Sequence, residues 1–320
     1  MNINLSSRIF SDPTAAIDYL EWVRWGRNGI RRRCPKCDAD PEYTARTGSK
    51  NHRYGLYYCN GCKATFTVTI GTIFQSSKVP LNKWLLLIHL MTTAKKGASA
   101  LQLERQIGVS YNTAWSMCHR IREAMKPTEA ELKRRLGGPG KIVETDETYW
   151  GNNGKLPPGA RGWGHKMKIV TVVERGGSKR SFHVPNTKAK TVLPLVKQNV
   201  DRRTRMMTDE SSIYNKLGWD FASHETVNHR SREYARGDVN TNTVESSFAV
   251  LKRSFRGTFH QMSEKHLHRY LVELDYKWNH RDKGPGQMLR TTVKRAEGKR
   301  LTGWALKNAR SRVVWKGSKY

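Results

Sequence analysis

"KIVETDETYW", residues 141–150, is the stretch on which the fold turns. Ile142 and Val143 begin it as an apolar strand, and three acids then follow within four residues, Glu144, Asp146 and Glu147. Side chains alternate along a strand. Ile142, Glu144 and Asp146 therefore share one face, and Val143, Thr145 and Glu147 the other. A carboxylate on a buried strand is costly unless something pairs with it. A divalent cation would do so, since Mg²⁺ takes hard oxygen ligands, often one or two carboxylates plus a substrate phosphate. Alternation alone does not choose between Glu144 and Asp146, and a surface position for all three acids fits the pattern as well.

Working outward, "HKMKIVTVVER" and "KRSFHVP" read as the second and third strands, joined through Gly176 and Gly177. "AKTVLPLVKQNV" reads as a helix, "TRMMTD" as a short strand and "ESSIYNKLG" as the start of a helix. A loop rich in His, Arg and Gly follows, and "VNTNTVESSFAVLKR" then opens a late helix. Three strands, a helix, a strand and further helices make a mixed α/β core. Asp209 ends the fourth strand, where it is placed either to hold a metal or to cap the next helix. Asn242 followed three residues later by Glu245 reads as a capping box, which gives Glu245 a structural role beside any catalytic one.

The 320 residues include 58 Lys and Arg against 27 acids, a net charge of +31. That balance calls for a polyanionic partner, most simply nucleic acid. An anionic membrane is the competing partner, but no apolar stretch reaches 18 residues, and "WLLLIHLM" is too short to span. "MNINLSSRIF" lacks the basic start and apolar region of a signal peptide, so the expected compartment is the cytoplasm.

Cys34-Pro-Lys-Cys37 and Cys59-Asn-Gly-Cys62 are two knuckles that can bring four thiolates into a tetrahedron around Zn²⁺. A redox pair or chance spacing is the plainer alternative. Hairpin-like strands between and after the knuckles give the layout of a zinc ribbon. Cys118 stands apart, as a small residue buried in a helix. Residues 99–125 read as two helices about a turn at Gly108, with Ile107, Val109, Ala114, Met117 and Ile121 at core spacings. Arg120 and Arg122 would then leave a basic face for DNA, as in a helix-turn-helix, or simply a solvated one. The expected divisions are a zinc ribbon over 1–78, a helix-turn-helix over 79–127, a linker over 128–140, a catalytic core over 141–282 and a basic tail over 283–320.

An Asp on the first strand, an Asp ending the fourth and a Glu on a later helix, with 35 residues between the last two, resemble the DDE signature of transposases and retroviral integrases. The blocks "CPKC…CNGC", "TIGTIF", "VETDETYWG", "MTDESSIY", "VNHRSREY" and "NTNTVESSFAVLKRSFRGTFHQMSEKHLHRYLVELDYKWNHR" resemble, in order, bacterial insertion-sequence transposases with an N-terminal zinc ribbon. The resemblance covers about residues 20–282. It implies a ribonuclease-H-like core whose Asp146, Asp209 and Glu245 hold two Mg²⁺ or Mn²⁺ ions. It implies binding to terminal inverted repeats, cleavage and strand transfer into target DNA, and a homodimer or higher oligomer on DNA, in the cytoplasm at the nucleoid. Some members carry Asn as the third ligand, and Asn242 lies one turn before Glu245. The family pattern has His where this chain has Asn240, and Trp where it has Phe248.

His224 and His229 precede the last acid and are candidates for DNA or metal-site contacts, or ordinary loop residues. Lys252 and Arg253 lie two helical turns beyond Glu245, on roughly its face, where they could hold phosphate. Trp163 and Lys166 lie in a basic Gly-rich loop between strands that could contact end DNA, and "KNARSRVVWKGSKY" reads as a backbone-binding arm. The competing functions are a metal-dependent nuclease on the same core and a zinc-ribbon regulator whose core is inactive.

Overall fold

Val143, Val170, Val172 and Met206 are fully buried, and they mark the sheet around which the larger part of the chain is built. The computed structural model describes residues 3–46, 53–151, 165–233 and 235–308. The chain divides into two units, Met1–Lys126 with His280–Lys307, and Pro127–Asn279 with the segment from Asn308.

The first unit starts with α1, Pro13–Trp25, where Asp12 accepts from the N–H groups of Thr14 and Ala15 and a proline opens the first turn. Strands β1 (Thr44–Arg46), β2 (Leu56–Cys59) and β3 (Ala64–Thr67) form an antiparallel sheet in that order. Helix α2 (Leu81–Thr93) buries Trp84, Leu85, Leu87, Ile88 and Met91. Helices α3 (Ala100–Ile107) and α4 (Tyr111–Met125) flank Gly108, whose φ of +61° is easily adopted by a residue without a Cβ.

The second unit opens with α5, Glu129–Lys133, capped reciprocally by Thr128 and Glu131. This segment was expected as a linker. Instead, Leu136 joins the core and hydrogen-bonds with Asn199 and Asp201. Strands β4 (Ile142–Trp150), β5 (Met167–Glu174), β6 (Lys179–Val184), β7 (Arg205–Asp209) and β8 (Ser223–Val227) form one sheet, in the order β6-β5-β4-β7-β8. The three early strands are antiparallel, while β7 and β8 run parallel to β4. Helix α6 (Ala189–Asn199) covers one face through Val192 and Val196 against Val143, Val170 and Val172. A two-stranded ribbon, β9 (Ala235–Arg236) and β10 (Val239–Asn240), leads into α7 (Asn242–Ser254), and α8 (Glu264–Asn279) follows. These helices cover the other face, with Leu251, Leu267 and Leu271 against Met167 and Ile169. Each fully buried aliphatic side chain contributes about 1.5–3 kcal/mol.

Strand β8 falls within the expected His-rich loop. It pairs only at the sheet's edge, and Val227 is its one buried residue, so it carries no apolar alternation. The helix expected from "ESSIYNKLG" is two short 3₁₀ turns that bury Tyr214 and Leu217. Asn215 and Gly218 are poor helix formers there.

Part of the expected basic tail is structured. Helix α9 (Pro285–Lys294) buries Met288, Leu289 and Val293 in the first unit, and α10 (Gly303–Lys307) buries Leu306. Gly298 donates to the carbonyl of Gly71 (2.8 Å), and Arg24 pairs with Glu297 (3.0 Å). Among the described residues no helix is long and apolar enough to cross a membrane.

Gly137 tests the packing of the segment before β4. Its φ is +79°, and a Cβ there would lie 2.2 Å from Thr204 Oγ1. Thr204 cannot move freely, because its hydroxyl accepts from the Gly138 N–H (2.8 Å). Gly137→Ala should cost the second unit about 1–3 kcal/mol, read as a lower urea midpoint with an unchanged slope.

Candidate metal centres

The zinc ribbon gathers its four cysteines at one point. All four Sγ atoms lie within 4.8 Å of one another. The Cys34–Cys62 and Cys37–Cys59 separations are each 3.6 Å, too long for disulfides and suited to a shared metal. Burial raises the Cys34 thiol, but the N–H groups of Lys36 and Cys37 outweigh it and bring it down to about 7. Burial and the neighbouring thiols push Cys62 up to about 12. Four crowded sulfurs of this kind cannot all ionise without a cation among them, and the donor set fits Zn²⁺. Cys118 lies elsewhere, 1% exposed in α4.

The acids of the second unit are brought together by strand register. Glu144 pairs with Met207 across the parallel β4–β7 ladder. Two residues further along each strand, on the same face, stand Asp146 and Asp209. Helix α7 packs over that face, and Glu245 lies in its first turn. Burial, then the charges of Glu147, Asp209 and Glu245, push the Asp146 carboxyl well above the usual carboxylate range. Asp209 is also raised, by burial first and by Glu210, with His229 opposing. No Lys, Arg or His lies within ion-pair distance of Asp146 or Asp209 among the described residues. Two crowded carboxylates without a cationic side chain are a donor set that fits a hard divalent cation. The three acids are spaced more widely than the cysteines, which are the only such group within 4.8 Å among the described residues.

Glu245 is half-exposed. Its Oε1 accepts from the Thr241 hydroxyl (2.9 Å) and lies 3.4 Å from His229 Nε2. The expected capping box is therefore corrected. The helix begins at Asn242 with Thr241 as its N-cap, so Glu245 sits one position too far along to be the reciprocal partner. Asn242 is exposed, and its N–H donates to Asn240 Oδ1 (3.2 Å). Asp209 caps no helix; its Oδ1 accepts from the Ser211 N–H (3.1 Å) within a turn.

Of the two histidines, His229 stands at the acids, while His224 shares a hydrogen bond with the Thr208 hydroxyl (2.9 Å) inside β8. Lys252 is half-buried and Arg253 exposed near the end of α7. Arg120 and Arg122 do not form an open basic face. Arg122 is 3% exposed, and Arg120 donates to the Gln75 carbonyl (2.7 Å) with its guanidinium over Trp84. Lys166 is half-buried just before β5. Trp163 and the residues from 309 onward, also read as DNA contacts, lie outside the described residues.

Two further groups at the acids had no distinct signal in the sequence. The Tyr214 hydroxyl donates to Glu147 Oε2 (2.5 Å) on the α6 face, and burial raises that carboxyl. Fully buried Glu144 pairs with the partly exposed Arg175, 2.5 Å between Oε1 and Nε. The sequence had left Glu144 beside Asp146 as an equal candidate, and a carboxylate already neutralised by an arginine is the poorer metal ligand of the two.

Comparison with known proteins places this arrangement in a family. Residues 135–279 match the ISXO2-like transposase domain, and residues 11–65 match the transposase zinc-ribbon domain. The chain is 31% identical over 264 residues to a Halobacterium salinarum protein described as an uncharacterized protein in transposable element ISH50, covering 77% of this chain and 84% of that one. It is 27% identical over 114 residues to an uncharacterized transposase-like protein of Haemophilus influenzae, covering 36% of this chain and 83% of that one. The chain belongs to the ISXO2-like family of insertion-sequence transposases, in the form with an N-terminal zinc ribbon.

Two outcomes follow from the two centres. Cys59→Ser should lose its zinc, measured by metal analysis, and with it the β1–β3 sheet, because metal binding and folding are coupled in such sites. Asp146 is raised in the folded state, so its ionised form opposes folding at neutral pH. Asp146→Asn should therefore raise the melting temperature in chelator, read by thermal unfolding at neutral pH.

Proposed function

We propose that this protein recognises the terminal inverted repeats of its element, cleaves them and joins them to target DNA. The observation that carries the proposal is the register placing Asp146 beside Asp209 under the helix that bears Glu245. The strand order β6-β5-β4-β7-β8, antiparallel then parallel, supports a ribonuclease-H-like core.

Asp146, Asp209 and Glu245 are the residues that would hold two Mg²⁺ or Mn²⁺ ions. Such a pair of ions, when bound, supplies Lewis acidity on both the attacking and the leaving oxygen of an in-line displacement. The chain's own residues do the rest. Lys252 and Arg253, two turns beyond Glu245, face the phosphate backbone and hold its register. Water attacks the phosphorus at the element end, and the 3′-oxygen leaves as a free hydroxyl. That hydroxyl attacks a target phosphodiester in a second displacement, and the target's own 3′-oxygen leaves. No covalent enzyme intermediate is needed.

In the first unit, the zinc ribbon and α3–α4 bind the repeats. With Arg120 and Arg122 turned inward, the exposed start of α4, at Tyr111 and Asn112, is the part of this hairpin open to base edges. Two element ends call for a homodimer or larger assembly on DNA.

The test uses pre-cleaved element ends and a target plasmid. Asp146→Ala and Asp209→Ala should each lower joining by about 10³-fold or more, with repeat binding retained. Glu245→Gln should fall with them and Asn242→Ala should not. Joining that survives loss of either aspartate overturns the proposal, and cutting without joining points to a nuclease instead.

A further inference from the structure

Glu144 is fully buried, yet neither of its carboxylate oxygens is turned to the candidate metal site. Oε1 accepts from Arg175 Nε (2.5 Å), and Oε2 accepts from the backbone N–H of Val244 (2.8 Å). Val244 is the third residue of α7 and immediately precedes Glu245. The first N–H groups of a helix have no partner within it, and here the N-cap Thr241 makes no side-chain cap bond. A carboxylate from a strand fills that role.

Arg175 extends the arrangement. Its Nη2 donates to the carbonyl (2.8 Å) and Oδ1 (2.9 Å) of Asn240, and its Nη1 donates to the carbonyl of Asp238 (2.8 Å). Asn240 Oδ1 accepts in turn from the Asn242 N–H. Two free N–H groups of α7 and the ribbon leading into it are thus tied to one point on β4. That point lies two residues from Asp146, on the same face. A negative charge at a helix N-terminus is also favourable in its own right.

We propose that Glu144, with Arg175 and Asn240, is a positioning device that fixes the distance between Asp146 and Glu245. Glu144 is not a metal ligand. It locks the first turn of α7 to β4, so that a half-exposed glutamate on a polar segment keeps one place relative to the strand acids. Asn240 serves as the acceptor for Arg175 through both its carbonyl and its side chain. The inference rests on the reading of Glu245 as the third acid.

The test pairs a structural readout with a catalytic one on the full-length protein. Amide hydrogen exchange is measured first, without DNA. Glu144→Ala should speed exchange of the Val244 and Glu245 amides by about tenfold or more, leaving β5 protected. Joining should slow by about 10–100-fold in turnover, with little change in the DNA concentration at half-saturation. Glu144→Gln, which keeps an acceptor for Val244, should recover part of the loss. Should Glu144→Ala misfold around the unpaired Arg175, the double change Glu144→Leu with Arg175→Met removes both the pair and the acceptor for Val244 without leaving a buried charge. It should still loosen the first turn.

Unchanged exchange in Glu144→Ala, or in the double variant, overturns the device. So does a Glu144→Ala protein as inactive as Asp146→Ala with its first turn still protected, since Glu144 would then be acting as a ligand. A fully active Glu245→Gln protein instead overturns the third-acid reading, whatever the exchange result.

Discussion

Parallel pairing of β4 with β7 is the constraint on which the second unit depends. Three residue pairs set it, Ile142 with Arg205, Val143 with Met206 and Glu144 with Met207. A slip of one residue would turn Asp146 or Asp209 to the opposite face, into the apolar layer under α6. The register is held from several directions. Val143 and Met206 are buried in one cluster, Met207 packs with Val227 and Val239 in another, and Arg205 pairs with both Glu225 and Asp238. Each acid therefore stands where it does because apolar side chains two residues away have nowhere else to go.

The charge of the chain and the charge of this site are opposed. Basic residues outnumber acids about two to one, yet Asp146 within β4 and Asp209 at the end of β7 gather with no lysine or arginine in reach among the described residues. Burial with like charges holds their carboxyls above the ordinary range, at a cost to folding. Arginine is used close by where structure requires it, at Glu144 and at Glu225. The division separates carboxylates that arginine ties into the fold from carboxylates crowded together by burial.

Much of this was legible in the residues. The doubled CxxC spacing led to the four-sulfur cluster, because short knuckles constrain sulfur geometry locally. The strands β4 to β7 and helix α6 were legible because their apolar periods are strong. Strand β8 was not, since an edge strand needs no apolar alternation. The inward turn of Arg120 and Arg122 was hidden for a related reason. A long aliphatic stem can lie on the interior while its charge finds a carbonyl or an aromatic ring, and composition counts such a residue as surface. The partnership of Glu144 with Arg175 joins positions 31 residues apart, and nothing in either local stretch announces it.

The chain leaves the first unit at Lys126 and returns to it at His280. Helix α9 supplies Met288, Leu289 and Val293 to that unit, and its N-terminal sheet, helices and zinc knuckles were all made earlier. On the ribosome the order of completion is inverted. The second unit has all of its described strands and helices once Asn279 emerges, while the first still lacks a wall of its core. A chain interrupted near residue 280 would carry the acids intact beside a half-built ribbon unit with exposed apolar surface. Such a fragment is marked for aggregation or proteolysis. Completing the zinc-knuckle unit last ties the survival of the acids to a full-length chain.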